Sequence, residues 1–323
     1  MKTDTKTQRV AIAEMAAKTS GKHSLLRQYK KHYELVLMLL PGLLALFLFN
    51  YLPMTGILIA FKDYKMLKGI LGSEWVGLKY FQQMFSGSDF FLILKNTLVI
   101  SFLKLLFGFP GPIILALMLN EMRSKTYKKV VQTLTYLPHF FSWVVLGGIF
   151  IMVFSVTGPF NVVLQKLGVQ EPLVFFGDAG LFRTMIVGTA VWQGLGWGAI
   201  VYIAALSGID ESLYEAAYMD GASRWKQVLH ISIPCLLPTI STVLLLNLAQ
   251  VLNAGFDQIY NMYNPTVYEV ADILDTYVLR KLRDAKYGIG TAAGLFKSAV
   301  SLLFVLGANW LTKKLSHDEL GIL

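Results

Sequence analysis

The sequence predicts an all-α polytopic membrane protein with six transmembrane helices and both termini in the cytoplasm. Three observations carry this: a composition suited to lipid, six apolar stretches of spanning length, and basic residues gathered at alternate ends of those stretches. Of the 323 residues, 55% are hydrophobic and only 15% are charged. Together with a mean hydropathy of +0.54, this is a poor match to a soluble chain of two ordinary domains. Crossing the hydrocarbon takes roughly 20 apolar residues as a helix, because backbone polar groups in lipid must be satisfied inside the segment.

The six spans are expected at Leu35 to Phe61, Leu92 to Leu119, Val130 to Phe154, Leu181 to Leu206, Ile231 to Ala254 and Ala292 to Leu311. The polar arm ahead of them, residues 1–33, is too long for the charged part of a signal peptide. The apolar run after it has no A-x-A cleavage pattern, so it is expected to remain as a span. The transmembrane domain is then 34–315, with a short tail at 316–323. Pro110 and Pro112 hint at a break in the second span.

A net charge of +9 would suggest nucleic acid if the cations formed a patch, but they fall in the arm and in short loops between apolar runs. Lys2, Lys6, Arg9, Lys18, Lys22, Arg27, Lys30 and Lys31 lie in the arm. Arg123, Lys125, Lys128 and Lys129 follow the second span, and Lys313 and Lys314 close the last. Basic residues near span ends mark the cytoplasmic side, which places both termini inside. Arg280, Lys281, Arg283 and Lys286 run against that rule, but one loop does not outweigh the arm. Outer loops at 62–91, 155–180 and 255–291 are too short for an independent extracellular domain, so another protein would have to capture dilute solute. The lone Cys235 excludes an intrachain disulfide.

Between the fourth and fifth spans, residues 207–230 read SGIDESLYEAAYMDGASRWKQVLH. Ser212 and Glu215 have the spacing of a capping box, Gly221 supplies a left-handed stop, and Ser223 can cap a second helix. The expected product is a bent elbow close to the membrane, with Pro234 and Pro238 at the mouth of the next span. Such an elbow is either an ordinary surface loop or a handle that a partner can seat and pull.

The residues Glu215-Ala216-Ala217, Gly221 and Ile231-Ser232-Ile233-Pro234 resemble the E-A-A-x3-G-x9-I-x-L-P signature of permease subunits in binding-protein-dependent ABC importers. The one departure is Ile233 for Leu, a volume-conserving change. The surrounding EAAYMDGASRWKQVLHISIPCLLPTI resembles the carbohydrate-uptake class in particular, and GLKYFQQMF, FGFPGPIILALMLNE, TGPFN and MYNPTVYEVADILDTYV resemble its LplB-like subgroup, which takes up oligosaccharides derived from polysaccharides. The resemblance implies the type I importer (MetI-like) fold and assigns coupling to an ATPase subunit to Glu215, Ala216, Ala217, Asp220 and Gly221. It also implies a second homologous permease, two copies of the ATP-binding subunit and an extracytoplasmic solute-binding lipoprotein. No G-x-x-x-x-G-K-[ST] loop is present in the sequence. No cofactor is therefore expected on this chain, ATP and Mg being used by the partner, and no enzymatic role.

Polar side chains inside spans face the bundle interior or a water-filled cavity by default. In the fifth span, Asn247, Gln250, Asn253 and Asp257 fall within a stripe roughly 120° wide if the helix continues through them. Trp192, Gln193, Trp197 and Tyr202 in the fourth span, Lys104 in the second and Lys297 in the sixth complete the candidate solute path. Amides and Lys would bond sugar hydroxyls while aromatic faces stack on C–H surfaces. Each amide can equally serve interhelical bonding, the Gly194, Gly196, Gly198 run reads as close packing, and the two lysines can snorkel, pair with a carboxylate or attract acidic sugars. His139 and His230 have no second ligand at metal spacing. Two alternative readings compete with this one: a secondary transporter driven by an ion gradient, which usually shows paired broken helices, and a membrane-embedded transferase, which needs clustered carboxylates.

Overall fold

A computed structural model describes residues 33–315. The basic arm up to His32 and the tail 316–323 lie outside the described residues, and with them the placement of the termini. Among the described residues five helices are long and apolar enough to cross a membrane, and a sixth crossing results if one bent pair is taken as a single span.

The first helix, α1 (Tyr33–Phe61), belongs as far as Leu58 to a unit of its own. Its ladder is α-helical to Leu46, widens over Phe47–Tyr51 and tightens to 3-10 over Leu52–Phe61. The change falls at Pro53, which has no N–H to donate and crowds the turn before it.

The second unit, from Ile59 on, begins with a two-stranded antiparallel ribbon, Lys62–Asp63 against Glu74–Trp75. Its helices are α2 (Lys79–Ser86), α3 (Ser88–Asn120), α4 (Lys125–Phe140), α5 (Trp143–Val153) and α6 (Pro159–Lys166). They continue as α7 (Ala179–Leu206), α8 (Glu211–Met219), α9 (Arg224–Ala249), α10 (Phe256–Met262), α11 (Leu274–Arg283) and α12 (Tyr287–Leu315).

Helices α3 and α7 form the axis of this unit. Near α8, Ala116 of α3 meets Ala199, Tyr202 and Leu206 of α7 and Leu236 of α9. At the opposite end, Ile100, Phe182 and Ile186 pack with Ala254, Ile259, Met262 and Ile273. A third cluster joins Met84, Phe90 and Ile93 to Leu274, Tyr277 and Ala293. Glycine lets these backbones approach: a Cβ on Gly198 would press on the Pro112 ring, and one on Gly196 would overlap the Thr135 carbonyl. The carbonyl cannot swing aside as a side chain can, so Gly196→Val is expected to cost about 3 kcal/mol, the upper range for overpacking. Thermal melting of the purified protein in detergent checks this; unchanged melting would show that α4 and α7 separate freely.

The expected third span is corrected. Instead of one helix over Val130 to Phe154, α4 and α5 meet at 103°. Pro138 sits in a 3-10 turn at the end of α4, and Ser142 is extended, its hydroxyl accepting from the Val145 N–H to start α5 anew. Hydropathy is high on both sides of the corner and does not register it. The second span, by contrast, is not broken at its prolines. Phe109 stays right-handed (φ −73°, ψ −45°), and Pro110 and Pro112 occupy the first positions of a renewed ladder within α3, where missing amides cost little. The fifth span ends at Ala249 rather than Ala254, and the sixth begins at Tyr287 rather than Ala292.

Outside the spans, buried Asn161 holds a loop together: its amide donates to the Ser155 and Leu173 carbonyls and accepts from the Leu173 N–H, all at 2.9 Å.

Candidate functional site

The elbow is built almost wholly from bonds within its own sequence. Its first cap is Asp210, which accepts from the Ser212 N–H at 2.9 Å; the Ser212–Glu215 capping box is therefore corrected. Asp and Ser are equally good caps two residues apart, and the acidic one took the role. That hydrogen bond holds the Asp210 carboxyl below its ordinary range, so the cap persists at neutral pH and is lost only as pH falls through the lowered value. At the other end Gly221 is left-handed (φ 74°), the Ala222 N–H reaches the Ala217 carbonyl at 2.8 Å and the Gly221 N–H reaches Tyr218 at 3.0 Å. These are the two bonds of a Schellman stop. Ser223 then caps α9 through the Lys226 N–H.

Two contacts tie the elbow to the spans. The Tyr214 hydroxyl lies 2.9 Å from the Oγ of buried Ser232 in the first turns of α9, where the ladder widens over Val228–Ser232. Arg224 lies 3.5 Å from Glu121 at the end of α3. Glu215, Ala216, Asp220 and Gly221 are exposed and Ala217 is half-buried. Tyr218 (75%) and Met219 (83%) expose large apolar surfaces on a groove of about 890 Å³ that Glu215, Glu121 and Arg224 also line, and Trp225 is exposed nearby in sequence (70%).

A cavity of about 340 Å³ opens between α3, α7 and α9, with Lys104, Asn247, Gln250, Asn253 and Tyr202 on its wall. The predicted stripe is corrected in its construction. Asn247 is on α9, Gln250 is its cap, and Asn253 lies in the turn that follows. Asp257 belongs to α10, which Gly255 enters in a left-handed conformation (φ 85°). Asp257 faces a second cavity of about 510 Å³, and Asn253 lines both.

Lys104 secures the unwound segment: its ammonium donates to the Ala254 carbonyl at 2.7 Å and to Gln258 Oε1. The Gln258 amide in turn donates to the Ile186 carbonyl and to Thr189 Oγ1, both at 2.8 Å. Gln258 and Thr189 had no signal in the sequence beyond being polar.

Four other candidates fall elsewhere. Lys297 pairs with Asp275 at 2.6 Å and is not on the cavity wall. Trp192 is half-exposed with its ring edge-on to Phe150, and Trp197 stacks on His139 at 4.5 Å. Gln193 lines neither cavity, because its place on α7 turns it away from Gly194 and Gly198, which do line the first.

A family model described as binding-protein-dependent transport system inner membrane component matches residues 108–317. Protein LplB of Bacillus subtilis (strain 168) is 45% identical over 305 residues, covering 94% of this chain and 96% of that protein. The polygalacturonan/rhamnogalacturonan transport system permease protein YteP of the same organism is 43% identical over 310 residues, covering 93% and 94%. Among solved structures, a chain of a bacterial ABC transporter involved in the import of the acidic polysaccharide alginate superposes with TM-score 0.84 at 40% identity, over 91% of this chain and 99% of that one. A chain of the bacterial alginate ABC transporter in complex with an alginate pentasaccharide-bound periplasmic protein gives 0.84 at 39%, over 92% and 99%. Similarity of this extent, on the same succession of helices, places the chain in the family of binding-protein-dependent transport system inner membrane components, as a multi-pass permease subunit of an ABC importer.

Proposed function

We propose that this chain forms half of a path for oligosaccharides derived from polysaccharides, and that it is driven through its elbow by ATP-binding subunits on separate chains. The observation that carries this is the Tyr214–Ser232 contact at 2.9 Å. It fastens an exposed lever to the buried base of α9, whose other end bears Asn247 on the cavity wall. Force applied to Glu215, Ala216, Ala217, Asp220 and Gly221 by an ATPase pair would move α9 and alternate the opening of the cavity. ATP and Mg act on that pair, and this chain binds neither.

A second homologous permease completes the path, and a solute-binding lipoprotein delivers the sugar from outside, with the elbow on the cytoplasmic side. The names of the relatives support the substrate class: one is a polygalacturonan/rhamnogalacturonan permease, and one structural relative was solved with a sugar-loaded periplasmic protein. The reading is tested by purifying the chain with its companions and measuring ATP hydrolysis on adding binding protein loaded with oligosaccharide. Stimulation is expected; sugar accumulation by the isolated chain in vesicles, without nucleotide, would refute it.

The amides on the cavity wall give a second test. Asn247→Leu with Gln250→Leu removes two hydrogen-bonding groups that face the cavity, each worth about 1 kcal/mol, so uptake is expected to fall about tenfold or more. Assembly with the ATPase stays intact, because neither residue is near the elbow. Unchanged uptake would assign both amides to packing.

A further inference from the structure

Lys297, Arg280, Arg183 and Lys104, four of the cations in or beside the spans, have very different surroundings. Lys297 is neutralised by Asp275, and Arg280 by Asp272, whose side chain is buried. Arg183, near the start of α7, gives its donors to the Val270 carbonyl and Asn96 Oδ1 and lines neither of the two cavities described above. Lys104 alone of the four lines the cavity between α3, α7 and α9. Its two hydrogen bonds go to neutral acceptors, and no carboxylate lies within ion-pair distance of it among the described residues. Among the described residues no Asp or Glu lines that cavity; Asp257 and Asp275 belong to the second one.

An ammonium has three N–H donors. Two of them hold the Ala254–Gln258 turn, which leaves the third uncommitted on a residue that lines the cavity. Pinning that turn does not require a charge: a neutral amide would donate to the same carbonyl without the desolvation that a cation pays in an apolar wall. What this leaves is a chargeable amine beside Asn247, Gln250 and Asn253, which are suited to hydroxyls, and an anionic occupant of the cavity would favour its charged form.

We propose that Lys104 is the specificity-determining residue of the path and selects sugars that carry carboxylates, uronic acids in particular, by a charge-assisted hydrogen bond to its free N–H. This rests on the oligosaccharide-permease reading and deepens it. Asn247, Gln250 and Asn253 hold the sugar hydroxyls, and Lys104 reads the acid. An amide at position 104 keeps the turn but loses the reader, whereas an arginine keeps the charge.

The test is equilibrium binding of a galacturonic acid trisaccharide and of its methyl ester to the purified complete complex, without the solute-binding protein. Wild type and Lys104→Arg are expected to favour the acid about tenfold, the size of one hydrogen bond to a charged group, and Lys104→Gln to bind both forms equally at the level of the ester. An acid-to-ester ratio unchanged in Lys104→Gln, an equal loss of both forms, or no binding of either form to wild type would overturn the assignment. Stimulation of ATP hydrolysis by loaded binding protein, measured on the same wild-type preparation, separates the two readings. If it is present, only the role of Lys104 has failed; if it is absent, the importer reading has failed.

Discussion

Replacing Gly221 with valine in the assembled importer is expected to leave ATP hydrolysis running while sugar uptake collapses. The glycine sits at φ 74°, a region that costs an L-residue about 1–2 kcal/mol and a β-branched one more. Relief of that strain opens the stop between α8 and α9, freeing the Ala217 and Tyr218 carbonyls and changing the angle of the lever. A shift of 1–2 kcal/mol changes a two-state ratio by a factor of about 5–30, and uptake per assembled complex should fall by that much. Gly221→Asn, which tolerates the left-handed region, should lose far less. Glu215→Ala tests the partner's side of the joint: Glu215 is exposed, so its loss should spare insertion and still uncouple. Normal ratios of sugar moved to ATP consumed in both Gly221→Val and Glu215→Ala would remove the elbow from the mechanism.

Breaking the Lys297–Asp275 pair should give a large change in stability. Side chains only 20% and 23% exposed face each other at 2.6 Å across α12 and α11. Removing one partner of a fully buried pair costs about 3–5 kcal/mol, and this partly exposed one should cost about 2–4. Lys297→Met alone is therefore expected to lower the melting temperature of the detergent-purified protein. Lys297→Gln combined with Asp275→Asn should recover most of the loss, since two neutral amides can bond each other. The double variant should transport at the wild-type rate per complex, because the pair secures α11 to α12. A rate reduced in proportion to solute affinity would return Lys297 to the solute path.

What the sequence discloses depends on how local the determinant is. The elbow was legible because a glycine stop and a serine cap act within five residues; only its first cap was misplaced, between Asp210 and Ser212. The corner between α4 and α5 is also local, in Pro138 and Ser142, but a hydropathy window averages it away. Asn247, Gln250 and Asn253 reach one cavity although the helix assumed to align them stops at Ala249. Helical periodicity had no means of seeing the stop, whereas Asn253-Ala254-Gly255 is a turn signal. Lys297 and Trp197 were unreadable for the opposite reason: the residues that engage them, Asp275 and His139, lie 22 and 58 positions away in the chain (297 − 275 and 197 − 139), so only the fold reveals them.

The elbow's bonds have a kinetic meaning for assembly. Asp210 to Ser212, Ala222 to Ala217, Gly221 to Tyr218 and Ser223 to Lys226 each close over five residues or fewer. Short loops close fast and at small entropic cost. If the elbow is the docking piece proposed above, few long-range contacts are needed to shape it, and a companion subunit would meet a largely formed segment instead of one it must first order. Little of the encounter free energy would then be lost to freezing the chain, so that even a weak, renewable grip would suffice for a directed stroke.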